Sequence, residues 1–345
     1  MKTNKKRRFW TVLCIILGVI LALLLALTIA VNAILNQIPR YDPVEETISE
    51  EEIQQIIEET DPPEVLAGLE EIPVEEVIMP EPAEVIEKPD YIYNILLIGQ
   101  DARPGEGRQR SDSMILCTIN KQNKAITLTS FMRDLYVNIP GHGGDKLNAA
   151  YAYGGMDLLS QTMKENFGVQ VDATVEVDFS GFKKVVNALG GIEIHLTAAE
   201  VDYMMSADWD GLSTDGWTLT PGVNLLNGDQ ALAYSRIRAI GYDFERTERQ
   251  RRVISAILAK CKGMDIAQTN SLLWELLPLV ATDMSNSQIT NYARELLPLL
   301  SGNTVTTQRI PIEGSYTVTY VGPLDVVLAD TEINRQFLIE TLMPK

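Results

Sequence analysis

The chain has 345 residues, 46% of them hydrophobic and 22% charged, which is enough for a large core and excludes a disulfide-stapled mini-protein. Its 47 acidic residues against 29 basic ones leave a formal charge of −18, which disfavours nucleic-acid binding unless Lys and Arg gather in one place. Three cysteines, Cys14, Cys117 and Cys261, support neither a disulfide framework nor a Cys-based zinc site.

Lys2, Lys5, Lys6, Arg7 and Arg8 precede a run from Phe9 to Val31 that contains no charged residue. Those 23 residues suffice to cross ~30 Å of hydrocarbon, and the run is longer than the ~7–15-residue apolar region of a cleaved signal peptide. Residues 9–33 are therefore expected to form a transmembrane signal anchor, with residues 1–8 as a cytoplasmic tail and the remainder extracellular. From Arg40 to Asp90 stand eighteen acidic residues, two basic ones and, counting Pro39, eight prolines. Such a composition buries too little apolar surface to offset its ordering entropy, so residues 34–90 read as an acidic, largely disordered stalk.

Ordered patterning begins at Tyr91 and continues without a linker to Lys345, predicting one domain over 91–345. YIYNILLIG (91–99) is an apolar strand, and SMILCTI (113–119) with KAITLTS (124–130) reads as a hairpin joined by the polar turn NKQN. MDLLSQTMKENFG is predicted helical with a stop at Gly168, ATVEVD a strand, SGFKKVVNALGG a helix ending at Gly190, and IEIHL a strand. Glu245 to Lys262 reads as a helix whose buried stripe is Val253, Ile254, Ile257 and Cys261. Residues 271–300 are expected to be helical, and the closing stretch to run strand, turn and final helix. Strands alternating with helices predict an α/β fold, a mixed central β-sheet with α-helices on both faces.

Three segments could carry chemistry. The loop GQDARPGEGRQRSD (99–112) has Asp101 and Asp112 at its ends with Arg103, Arg108 and Arg110 between them. Carboxylates are the hard ligands Mg²⁺ takes beside phosphate oxygens, though a solvated ion-pair network has the same composition. Arg133 and Asp134 directly follow the strand 124–130, where side chains commonly face a site. Arg236 and Arg238 lie two apart, on one side of an extended segment. The helix stripe extended backward reaches Arg246, Arg249 and Gln250, and buried guanidinium groups there require either protein carboxylates or an anionic ligand. The helix N-terminus favours a phosphate, and the planar arginine fork suits a pyrophosphate. His142 and His195 have no nucleophile motif beside them and are read as structural or exposed; Cys117 and Cys261 are read as buried thiols that pair only if the fold brings them together.

The segments GQDAR, RSDSMIL, SFMRDLYVNIPG, DKLNAAYAYGG, VEVDFSGFKKVVNALGGIEI, LTPGVNLLNGDQALAYSRIR and DFERTERQRRVI, in this order over residues 94–258, resemble the LytR-CpsA-Psr family of bacterial cell-wall proteins. The resemblance implies an extracellular domain that moves a glycosyl-phosphate polymer (teichoic acid, capsular or other secondary wall polysaccharide) from a polyprenyl-pyrophosphate carrier to peptidoglycan. It also implies roles. Asp101 and Asp112 would stand at a Mg²⁺ site, with Mn²⁺ as a substitute; Arg110, Arg133, Arg236, Arg238, Arg246 and Gln250 would contact pyrophosphate. Asp101, Asp112 and Asp134 are the candidates to take the hydroxyl proton, and Arg110, Arg133, Arg236, Arg238 and Asp134 form the expected catalytic group. Competing readings are a membrane-bound transcriptional attenuator, for which about eight cytoplasmic residues leave no DNA-binding fold, and a pyrophosphatase in which water replaces the sugar hydroxyl. Nucleic acid is not an expected partner.

Overall fold

The computed structural model describes residues 33–40, 71–100, 108–207, 209, 212, 214–237, 240, 243–265, 268, 271–272, 275–296, 299 and 304–342. Leu35 and Ile38 are buried among Ala173, Leu277, Met284 and Ile289. After them come β1 (Glu71–Ile72), β2 (Ile92–Gln100), β3 (Ser111–Asn120) and β4 (Ala125–Phe131). Strands β2, β3 and β4 pair antiparallel in turn, so the predicted hairpin is present. Its turn is held by side-chain amides: Asn120 Oδ1 accepts from Gln122 N (2.9 Å) and Asn123 Oδ1 from Ala125 N (3.0 Å).

A short hairpin of β5 (Tyr136–Ile139) and β6 (Gly143–Lys146) leads into α1 (Leu147–Phe167). The helix is longer than the predicted one because its first two turns precede Gly154 and Gly155; Gly155 takes φ 59°, breaking the helix between two buried halves. It ends at Gly168, where φ is 73° and an added Cβ would lie 2.3 Å from Glu84 O.

Then follow β7 (Ala173–Asp178), α2 (Phe179–Ala188), β8 (Ile192–Leu196), α3 (Ala198–Ser206), β9 (Gly222–Leu226), α4 (Gly228–Arg236) and α5 (Asp243–Lys262). The chain closes with β10 (Ala281–Thr282), α6 (Asn286–Leu296), β11 (Thr304–Ile310), β12 (Tyr316–Val321), β13 (Leu324–Ala329) and α7 (Thr331–Leu342).

The central sheet is mixed, in the order β10-β7-β2-β3-β4-β11. Side chains of its inner strands alternate between two cores. Leu96, Ile98, Met114, Leu116 and Phe131 pack with α1; Ile115, Cys117, Ile119, Ile126 and Leu128 pack with Ile254 and Leu258 of α5. Burial on both faces is why these strands read as nearly unbroken apolar runs. IEIHL, by contrast, pairs only with β9, outside the central sheet, and its outward residues Glu193 and His195 are exposed. The closing stretch holds three strands rather than one: β12 and β13 form a second sheet with β1.

The expected stalk over 34–90 needs correction at its described parts, 34–40 and 71–90. Residues 34–40 dock on the β10 edge, 71–72 pair with β12, Val77 and Met79 pack on Tyr136 and Val321, and 83–86 lie at the end of α1: Ile86 is 6% exposed, with Ile86 N donating to Gly168 O (2.8 Å) and Ala83 N to Glu165 O (2.7 Å). The acidic side chains stay in water while some of the interspersed aliphatic ones, Leu35, Ile38 and Ile86 among them, fill grooves, a division that composition averages away. Residues 41–70 and the expected anchor, except Ala33, fall outside the described residues. Among the described residues no helix is long and apolar enough to cross a membrane.

Cys117 and Cys261 are both free, in different cores. Burial pushes the Cys117 thiol up to about 12. With Cys14 and Cys261 replaced by Ser, Cys117 is expected to resist a thiol reagent at about pH 8 until denaturant is added; native labelling at the rate of an open thiol would contradict this packing.

Candidate active site

The site begins at an irregularity in the sheet. Gln100 pairs with Ser111 and Gly99 with Ser113, so Asp112 is an extra residue in β3, and such a bulge re-aims a side chain. Asp112 Oδ1 accepts from Arg133 Nη1 (3.2 Å), which enters directly after β4, and lies 3.5 Å from Arg246 Nη2. The same Nη2 donates to Asp112 O (2.7 Å). Arg246 stands in the second turn of α5 and is 2% exposed, so its charge is carried indoors by a partner on another element.

From Arg133 the network continues. Its Nε donates to Asp134 Oδ2 (3.3 Å), while Lys146 Nζ, at the end of β6, sits 3.1 Å from Asp134 Oδ1 and also bonds Asp325 of β13. Burial alone would raise the Asp134 pKa, but Arg133, Lys146 and, further off, Arg246 outweigh it and hold the carboxyl below its usual range. A carboxylate so held is a weak base, which suits it to orienting Arg133 and Lys146 better than to taking a hydroxyl proton.

Glu200 is lowered too: burial opposes, and bonds from Thr197 and Arg249 prevail. Both groups therefore add stability that is complete above the ordinary carboxylate pKa, about 4, and is lost as pH falls through their depressed folded-state values. The urea midpoint is expected to drop between about pH 5 and pH 3, and to drop less in Asp134→Asn. An equal drop in that variant would remove Asp134 from this account.

Arg110, Arg236 and Gln250 complete the described part of the predicted set, and the ring contact of Arg236 lies outside this chain of charges. Arg110, two residues before Asp112, has buried Nε and Nη2 atoms with no hydrogen-bond partner. Its charge reaches Tyr153, whose hydroxyl donates to Asp145 and whose ring stacks on His142 at 4.7 Å. Arg236, in the last turn of α4, lies 5.0 Å over the Phe179 ring at the start of α2. Gln250 is half-buried on α5. Asp101 and Arg238 lie outside the described residues.

The stripe that contained Arg246 also contained Arg249, and the structure separates them. Arg249 is internal: its Nε donates to Glu200 Oε1 (2.9 Å), and its other nitrogens to Ile237 O (3.2 Å) and Ile240 O (2.7 Å). Sequence reasoning passed over Lys146 and Asp325, and also a buried trio at the β2 end: with its amide nitrogen turned toward Glu176 Oε1 (2.6 Å), Gln100 also accepts from Gln109 N (2.6 Å), while Tyr151 Oη donates to Glu176 Oε2. The Lys of DKLN was a readable signal; Asp325 had none.

Among the described residues no group of three or more His, Cys, Asp or Glu could hold a metal ion. Asp112, about a quarter exposed, can offer one carboxylate oxygen, which fits a Mg²⁺ that draws most of its ligands from phosphate and water and does not fit an all-protein cage.

The profile of the LytR_cpsA_psr family matches residues 70–333. The polyisoprenyl-teichoic acid–peptidoglycan teichoic acid transferase TagT of Bacillus subtilis (strain 168) is 40% identical over 176 residues, 50% of this chain and 53% of that protein, so the match spans about half of the relative. A solved structure of TagT bound to LIIa-WTA superposes with a TM-score of 0.61 at 29% identity, covering 76% of this chain and 95% of that one. Another, the LytR-CPS2A-psr family protein YwtF (TagT) with bound octaprenyl pyrophosphate lipid, has a TM-score of 0.57 at 27% identity, covering 76% and 96%.

Proposed function

Because this chain belongs to the LytR-CpsA-Psr family, we propose that it transfers a glycosyl-phosphate polymer of the teichoic-acid or secondary-polysaccharide class from a polyprenyl-pyrophosphate carrier to peptidoglycan, outside the cell and tethered by residues 9–33. The observation that carries the reading is Arg110: two buried guanidinium N–H groups lack an acceptor, beside a chain of arginines whose carboxylates are already engaged. At physiological pH a guanidinium stays charged and can only donate, so what satisfies it must be an acceptor, and a phosphate oxygen is one that also answers its charge. TagT, a relative, is named for this transfer.

In this reading Arg110 and Arg133 grip the diphosphate from just before β3 and just after β4, and Arg246 adds charge from α5. Asp134 and Lys146 hold Arg133 at its angle, so the guanidinium need not reorganise as charge grows on the phosphoryl oxygens. A sugar hydroxyl of the wall attacks the phosphorus nearest the glycan; the bond to the bridging oxygen breaks, polyprenyl phosphate leaves with the bonding electron pair, and the hydroxyl proton is taken up by that departing phosphate. Mg²⁺, held through Asp112 with Asp101, would neutralise charge on the phosphates. Chelation is expected to stop transfer and added Mg²⁺ to restore it; transfer that survives chelation would remove the metal from the scheme.

The reading is tested by supplying lipid-linked polymer, labelled in the glycan, together with peptidoglycan. Label bound to the wall supports transfer, and label released only as free phosphorylated glycan would show hydrolysis instead.

A further inference from the structure

We infer that the β10 edge of the central sheet, with the start of α6, rests on the lipid headgroup layer of the membrane that holds this chain. The inference builds on the proposed anchor. The apolar run closes at Val31, before Asn32, and Leu35, four residues on, is already 1% exposed in the core formed by Ala173, Leu277, Met284 and Ile289. Four residues span at most about 14 Å, and the headgroup region of one leaflet is itself about 5–8 Å deep. The domain therefore has no spacer. The eleven acidic residues of 41–70 follow the docking point in the sequence.

The docking is specific. Ile38 is 3% exposed, Arg40 makes a parallel bridge with Thr282, Thr282 N donates to Pro39 O (3.3 Å), and Arg40 also bonds Asn286, whose Nδ2 donates to Asn36 Oδ1 (2.8 Å). The surface beside it suits a lipid partner. In a chain of charge −18, Met284 to Ala293 contains no charged residue, and Ser285, Ser287, Gln288, Thr290 and Asn291 are exposed. Amides and hydroxyls meet headgroups without the repulsion an acidic face would suffer at an anionic surface.

The placement also bears on the chemistry. A cavity of about 270 Å³ at this edge is lined by Pro39, Lys184, Leu279, Asp178 and Glu176, and Glu176 is the carboxylate bonded to Gln100 and Tyr151. Glu176 thus joins the membrane-side edge to the end of β2 that precedes Asp101.

The test uses the full chain in vesicles whose lipids carry a headgroup quencher, with Cys14 and Cys261 replaced by Ser. A fluorophore is placed at Ser287→Cys at the start of α6 or at Thr304→Cys on β11, the strand five spacings, about 24 Å, from β10 across the sheet. Position 287 is expected to be quenched severalfold more than 304. The Leu35→Asp/Ile38→Asp variant should stay in the carbonate-washed membrane pellet yet lose that difference. Equal quenching at both positions, with the unmutated docking segment and the chain retained in the pellet, would overturn the apposition alone; a chain washed from the pellet would overturn the anchor and the apposition with it.

Discussion

Arg133→Ala is expected to lower transfer by about 10²–10³-fold, the loss of about 2.7–4 kcal/mol that follows removal of one preorganised donor from a developing oxyanion. The expectation follows from how Arg133 is held: one nitrogen on Asp112, another on Asp134, and Asp134 in turn on Lys146. The fold should survive, because Asp134 keeps Lys146 and its backbone oxygen still accepts from Val327 N (2.8 Å). Arg133→Lys restores the charge but not the fork, and should recover only part of the rate. If the loss falls in kcat while donor affinity changes little, Arg133 acts mainly on the transition state. Near-normal turnover in Arg133→Ala would place the reaction elsewhere.

Arg249→Met, three residues from Arg246, should do the opposite: destabilise the protein by about 3–5 kcal/mol through a buried Glu200 left without its cation. Glu200 and Arg249 are 3% and 4% exposed, so water cannot replace the lost partner. The double variant Glu200→Met/Arg249→Met removes both charges and should regain much of the stability, a coupling measurable in a urea double-mutant cycle. A single variant as stable as the unmodified protein would refute the structural role assigned to Arg249. Together the two experiments separate a guanidinium that does chemistry from one that fastens α5 to α3.

That separation marks the limit of what was legible in the sequence. Helical periodicity put Arg246 and Arg249 on the same polar-turned stripe, and only the position of Glu200, 49 residues earlier, distinguishes them. Strands β2 to β4 were readable because both faces are buried and the turn carries its own amide acceptors. The strands β12 and β13 had a visible Gly322-Pro323 turn between alternating runs, but β1, two residues long in an acidic stretch, had nothing local to announce it. Lys146 and Asp325 are 179 residues apart, so their pairing exists only through the fold. The acidic segment misled for a related reason: composition reports the average of 34–90, whereas docking depends on a few residues such as Leu35, Ile38 and Ile86.

The most direct measurement is the structure of the full chain bound to a polyprenyl pyrophosphate. A phosphate oxygen within about 3 Å of Arg110 Nε or Nη2, with Arg133 and Arg246 turned to the same diphosphate, is the predicted result. A diphosphate bound away from all three, or Arg110 closed onto a carboxylate of its own chain while the lipid is bound, would contradict the account.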